Sequence, residues 1–375
     1  MVETEKPFAA GRVGFSLLAA LAFLGCARKE PPKQEPSAPA ATAAVTASAK
    51  PAEIDPKTLI SDLGEMKIPA TNPQTPEKIA LGHQLFFDKR LSSDGTRACY
   101  TCHQNEDGTG GHEPLAIGPE SKVLTRHSPV MWNVGYLPRF YWDGRADSLE
   151  AQMKGAWAGG NLGVGKDNLE KKAKELSKIK GYKQAFAKVF PKEGLTVDTV
   201  AQAISAYERT LVCNNTAYDR FAKGEAQALS AEQKEGLGLF MGKAGCVMCH
   251  APPFFSSAYT VASGTYFNTG MGTQGIPEEK VDIGRSKVSE NPADWAAFKV
   301  PTLRNISRSA PYFHNGSVAT LEEAVKFMAT GGAANKNKSP LLTDRQLSAS
   351  ELGSLVAFLK SLDCEGKLEE PKLPQ

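Results

Sequence analysis

The chain has 375 residues, with 44 lysines and arginines against 41 aspartates and glutamates and a formal net charge of +3. That length exceeds one ordinary core and suits two domains once processed or unstructured ends are set aside. The charge is spread along the chain with no basic run, which excludes nucleic acid as a partner.

At the start, Arg12 precedes an apolar run, Val13 to Leu24, that ends in Leu24-Gly25-Cys26. The run has the length of a signal-peptide core and is too short to span a bilayer. Residues 1–25 therefore predict export. The segment resembles a lipoprotein signal, in which Cys26 becomes the lipidated first residue, with Phe23 where leucine is more usual. Plain secretion is the alternative. Residues 26–56 are rich in Ala, Pro, Ser, Thr and Lys and lack a sustained amphipathic period, which reads as a disordered tether. A folded module would then hang from a membrane surface in the periplasm.

Beyond the tether, two stretches open alike. "TPEKIALGHQLFFDKRLSSDGTRACYTCH" combines a capping residue, a helical run with Ile79, Leu81, Leu85 and Phe86, and a Gly-containing loop before its cysteines. "LSAEQKEGLGLFMGKAGCVMCH" repeats the plan, with Ser230 as N-cap, Gln233 three residues on, and Leu237, Leu239 and Phe240 on the apolar face. The repetition points to a duplicated unit, residues 57–215 and 216–375, with the boundary within 213–228. Helices are also predicted over 166–189, 197–212, 320–329 and 348–362, and strand patterns are few and short.

The repeated element is Cys-x-x-Cys-His, at Cys99, Cys102, His103 and again at Cys246, Cys249, His250. This is the attachment signature of a c-type haem: both thiols add to the vinyl groups and the imidazole becomes the proximal ligand. Zinc would need a second Cys pair or a spaced His pair in each half, and neither is present. Two covalent haems agree with export. With Cys26 assigned to the lipid, Cys213 and Cys364 remain as either a disulfide or two buried free thiols. The second axial position of each iron decides between electron transfer and chemistry, because a sulfur ligand raises the potential and closes the site. Met328, on the predicted 320–329 helix, is a candidate, with core packing as its alternative.

These residues, with "RHSPVMWNVGY", "FYWDGRADSLEAQ", "RTLVCNNTAYDRF" and "FKVPTLRNISRSAPYFHNGSVATLEEAV", make residues 57–365 similar to the bacterial dihaem cytochrome c peroxidases and their MauG-type relatives. The resemblance implies a mainly α fold of two cytochrome c-like domains with facing haems. It implies His103 as proximal ligand of a peroxide-reacting haem, and His250 with Met328 as ligands of an electron-accepting haem. MauG has tyrosine in the latter role, so Met328 leans toward the peroxidases. Trp142 matches the tryptophan between the haems, a stepping stone for electrons. Pro301 lies in the loop whose carbonyls help to hold a calcium ion.

Three positions depart from the pattern. Pro119 stands where the peroxidases place a histidine on the resting reactive haem, and His112 nearby reads as a surface residue or a substitute ligand. Leu162 stands near the expected distal glutamate, with no carboxylate between Glu150 and Asp167. Trp157 in that loop reads as packing, with pocket lining as the alternative. His127 replaces an asparagine of the calcium site, and calcium prefers oxygen. His83 is expected to be solvated, and His314 to hold a structural hydrogen bond.

The expected function is peroxide reduction with electrons from a small cytochrome or cupredoxin. The alternatives are a MauG-like oxidase acting on a partner protein, and a tethered dihaem electron carrier without catalysis. A homodimer is compatible with the resemblance.

Overall fold

The computed structural model describes residues 54–375. The signal segment, Cys26 and the tether through residue 53 lie outside the described residues. Eleven α-helices carry the described chain, beside one two-stranded antiparallel ribbon in which Tyr266–Phe267 pairs with Phe298–Lys299.

In the first half, α1 (Pro76–Phe87) begins at an N-cap, Thr75, whose hydroxyl accepts from the Lys78 amide at 3.2 Å. A single turn, α2 (Cys99–Cys102), carries the first motif, followed by α3 (Leu149–Ala158), α4 (Leu169–Leu176), α5 (Lys180–Val189) and α6 (Val197–Glu208). The second half holds α7 (Ala217–Ala222), α8 (Ala231–Met241), α9 (Ser286–Ser289), α10 (Leu321–Ala329) and α11 (Ala349–Lys360). The expected Ser230 cap is present, and Gln233 reaches back to the Ser230 amide at 2.9 Å. The helix expected over 166–189 is instead two: α4 ends at Leu176, and Ile179 is extended (φ −73°, ψ 116°) before α5. That kink lets Leu176 and Tyr182 both enter the core.

The duplication extends well past the opening phrases. Helix α1 crosses α6, and α8 crosses α11, each through a glycine. A methyl group on Gly82 would lie 1.8 Å from the Ala203 carbonyl oxygen, and one on Gly236 would lie 1.9 Å from that of Ser354. Only glycine permits backbones this close. Gly82→Ala is therefore expected to force the crossing apart at about 1–3 kcal/mol, measured as a lower denaturation midpoint.

Each half has its own apolar core. The first gathers Leu85, Phe86, Met153, Trp157, Tyr182 and Ile204, and the second Tyr218, Phe240, Phe255, Leu355 and Phe358. The first and last described segments cross over between them. Ile54 and Leu59 pack on the second core, whereas Leu368 and Leu373 return to the first. The tail is held there by backbone carbonyls: Gln84 donates to Lys372 at 3.0 Å and Arg90 to Pro374 at 2.9 Å. His83, expected to be solvated, is half-buried: its ring stacks on Tyr207 (4.6 Å between centroids) and its Nε2 meets the Glu369 carbonyl of the tail at 2.6 Å.

A disulfide joins Cys213 to Cys364 and so ties the end of the first half to the tail. Asparagines at matching points brace it. Asn133 accepts from the Cys213 amide (2.8 Å), Asn305 accepts from the Cys364 amide (2.9 Å), and both adopt left-handed φ, 62° and 65°. No helix among the described residues is long and apolar enough to cross a membrane.

Candidate haem sites and the cavity between them

Both motifs open onto one cavity of about 1450 Å³, larger than an ordinary small-molecule pocket of roughly 300–1,000 Å³. His103, Cys246, Cys249, His250, Met328 and Trp142 all border it. The four motif cysteines are free thiols, although only two residues separate the members of each pair.

The two imidazoles are held alike. A carbonyl can only accept, so Nδ1–H of His103 donates to Thr109 and that of His250 to Phe255, both at 3.0 Å. Each ring thus keeps Nε2 unprotonated, and burial lowers both pKa values to about 4, so both rings are neutral at pH 7. A neutral imidazole oriented by a backbone acceptor is what a metal requires of histidine. Free thiol pairs beside such rings on an apolar cavity fit covalently attached haem.

Equivalent residues can be read across the halves. Antiparallel bridges Phe140–Ala146 and Tyr312–Val318 precede helices capped by Ser148 and Thr320, so α3 and α10 correspond from their first residues, Leu149 and Leu321. Likewise Tyr207 and Phe358 face the two crossing glycines, which aligns α6 with α11. Three pairs of positions then differ, each with at least one member on the cavity. Met328 corresponds to Ala156, Ala324 to Gln152, and Leu359 to Glu208. The second site has sulfur at Met328 where the first has only Ala156, outside the cavity lining, and apolar Ala324 and Leu359 where the first has polar Gln152 and Glu208.

Trp142 and His314 are also counterparts, and they meet edge to face at 6.4 Å between the halves. Trp142 donates Nε1–H to the His127 carbonyl at 2.8 Å, and its own carbonyl accepts from the Lys299 amide at 2.7 Å. His314 mirrors this, its carbonyl accepting from the His127 amide at 2.7 Å. Its ring stacks on Phe298 at 3.6 Å, and among the described residues it has no hydrogen-bond partner, contrary to the structural bond expected for it. Arg126 locks the junction, bonding Asp143 at 2.6 Å and both oxygens of Asp282 at 2.6 and 2.8 Å.

The departing residues resolve plainly. Leu162 is buried in the first core, and Asn161 beside it borders the cavity. Trp157 is fully buried and donates to the Leu91 carbonyl at 2.9 Å, a packing role. Pro119 is buried away from the cavity lining, and His112 lies on the surface beside Asp107 at 3.3 Å. His127 is buried with Nδ1 at 3.0 Å from the Glu113 carbonyl, so that atom is not free for a metal. Among the described residues no cluster of three His, Cys, Asp or Glu side chains could hold a metal ion. Pro301 borders the cavity next to His250, with its carbonyl beside the ring.

Glu208, Gln152 and Lys299 were not singled out from the sequence. Each stands in an ordinary helical or extended run, and only the tertiary fold turns it to the cavity. Among the described residues the Lys299 amine has no carboxylate partner, and burial lowers its pKa to about 8.

Residues 76–227 match the family described as di-haem cytochrome c peroxidase. The chain is 34% identical to cytochrome-c peroxidase IdrP1 of Pseudomonas sp. (strain SCT), over 88% of this chain and 92% of that protein. It is 34% identical to the methylamine utilization protein MauG of Methylorubrum extorquens, over 82% of this chain and 84% of that one. A crystal structure of a MauG-like protein associated with microbial copper homeostasis superposes with a TM-score of 0.75 at 31% identity, covering 84% and 97% of the two chains. The class is that of haem oxidoreductases. The chain belongs to the di-haem cytochrome c peroxidase and MauG family, which carries two c-type haems.

Proposed function

We propose that the protein reduces hydrogen peroxide to water, using electrons from a small periplasmic cytochrome or cupredoxin. Two cytochrome c-like domains, residues 57–215 and 216–375, would each hold one haem. The observation that carries this reading is the inequality of the halves: Met328, Ala324 and Leu359 on one side against Ala156, Gln152 and Glu208 on the other.

Haem iron, when bound, supplies the redox centre at which peroxide accepts electrons. His103 and His250 would hold the two irons through Nε2. Met328 would close the second site and raise its potential, making it the electron acceptor. The first site lacks that sulfur and keeps polar groups for a reacting oxygen. Met248, between Cys246 and Cys249, is 50% exposed, so electrons can enter the second site at the surface. Trp142, bonded to both halves, would carry them across. The Lys299 amine, without a carboxylate partner among the described residues, would suit an anionic haem substituent.

Export and anchoring through Cys26 belong to the same proposal. Calcium at the Pro301 loop remains an expectation of the resemblance without an acidic cluster behind it. A homodimer likewise rests on the resemblance alone.

The second reading, oxidation of a partner protein, is favoured by one observation: the loop through Leu162 supplies no carboxylate to the cavity. Steady-state turnover with a reduced small cytochrome and peroxide separates the two. Sustained turnover supports peroxide reduction, and a slow decay without turnover supports the oxidase. Trp142→Phe is expected to slow electron transfer between the haems in flash-reduction experiments while leaving haem content unchanged. An unaltered rate would remove Trp142 from the route.

A further inference from the structure

Glu208 is the last residue of α6, 3% exposed, and borders the cavity. Its Oε2 has no hydrogen-bond partner among the described residues. An unpartnered carboxyl oxygen in a buried site is costly and calls for a function or an unseen partner. The duplication sharpens the contrast, because the equivalent cavity-side residue of the other half is Leu359, which packs without polar demand.

We propose that Glu208 is the proton-transferring residue of the first haem site, acting on bound peroxide. The inference rests on the peroxidase reading above. Reduction of one hydrogen peroxide breaks its O–O bond, takes two electrons from the reduced donor and two protons from solvent, and releases two waters. The oxygen that leaves takes the O–O electron pair and must receive a proton. The Glu208 carboxyl O–H donates it, and the carboxylate recovers a proton from the remaining oxygen or from solvent. Gln152 and Asn161 border the same cavity but cannot serve as acids.

The surroundings keep the proton in place. The charged and titratable groups bearing on Glu208 are Arg209 on its own helix cap, Glu150 on α3, Cys99 on α2, and Tyr141 and Tyr207. Arg209 is itself engaged by Glu150 at 2.8 Å, which limits its pull. Burial is the largest influence and raises Glu208 from its ordinary 4.5 to about 8, so it is protonated at neutral pH.

The test uses holoprotein with both haems attached, as wild type, Glu208→Gln and Glu208→Asp. Infrared spectra across neutral and alkaline pH should show a protonated carboxyl band in wild type that Glu208→Gln lacks. Stopped-flow absorbance with peroxide should be slower by roughly 10²–10⁴-fold in Glu208→Gln, with partial rescue in Glu208→Asp. Carbon monoxide binding to the reduced protein needs no proton and should be unchanged, showing an intact site. Wild-type reaction with an equally fast Glu208→Gln overturns the assignment alone. Wild type inert to peroxide overturns the peroxidase reading, and the assignment falls with it.

Discussion

Arg304→Met is expected to destabilise the holoprotein by about 3–5 kcal/mol, read as a lower midpoint in chemical denaturation. Arg304 and Asp219 are both fully buried, and the guanidinium meets the two carboxylate oxygens at 2.7 and 2.8 Å. Removing one partner strands the other charge in the core. A double variant that also carries Asp219→Leu should recover part of the loss, because two apolar groups need no partners. The pair also serves the haem site. Arg304 donates to the Pro253 carbonyl at 2.8 Å, two residues before Phe255, whose carbonyl orients His250. Loosening of the second haem in Arg304→Met is therefore expected, visible as an altered potential. The pH dependence has a definite sign. Burial pushes the Asp219 carboxyl up, but the Arg304 hydrogen bonds and charge outweigh it, and the net pKa lies below 3.8. This contribution is complete above pH about 4 and lost as pH falls through the folded pKa.

The second large effect is expected from Cys213→Ala with Cys364→Ala. The disulfide spans a sequence separation of 151, and loops of that size stabilise through restriction of the unfolded chain by about 2–5 kcal/mol. The double variant should lose that amount in denaturant. Because Leu368 packs on the first core, susceptibility of the tail to protease should rise as well. Equal stability of the variant and wild type would mean that the asparagine braces and tail contacts suffice without the bond.

The haem motifs were readable from the sequence because covalent attachment fixes residue type and spacing together. Helix starts were readable for a similar reason: a cap such as Ser230 acts within three residues of itself. Groups whose roles depend on distant partners were not. Glu208 closes an ordinary helix in "AYERTL", and only the tertiary fold buries it beside the cavity. His83 reads as a surface residue of α1, since nothing near it announces that the tail returns to place the Glu369 carbonyl against its ring. The pairing of Trp142 with His314 needs both halves superposed. The break between α4 and α5, at residues 177–179, holds no proline or glycine, and Gly181 falls only inside the first turn of α5. Only packing shows why Leu176 and Tyr182 require it.

The most direct test of the central claim is stopped-flow absorbance of the holoprotein with one equivalent of peroxide, fully oxidised and then half-reduced, followed by turnover with a reduced small cytochrome. Unequal halves with distinct duties predict a rapid spectral change confined to one haem, with sustained turnover once the Met328 site is reduced. Identical responses from both haems, or none from either form, would contradict it.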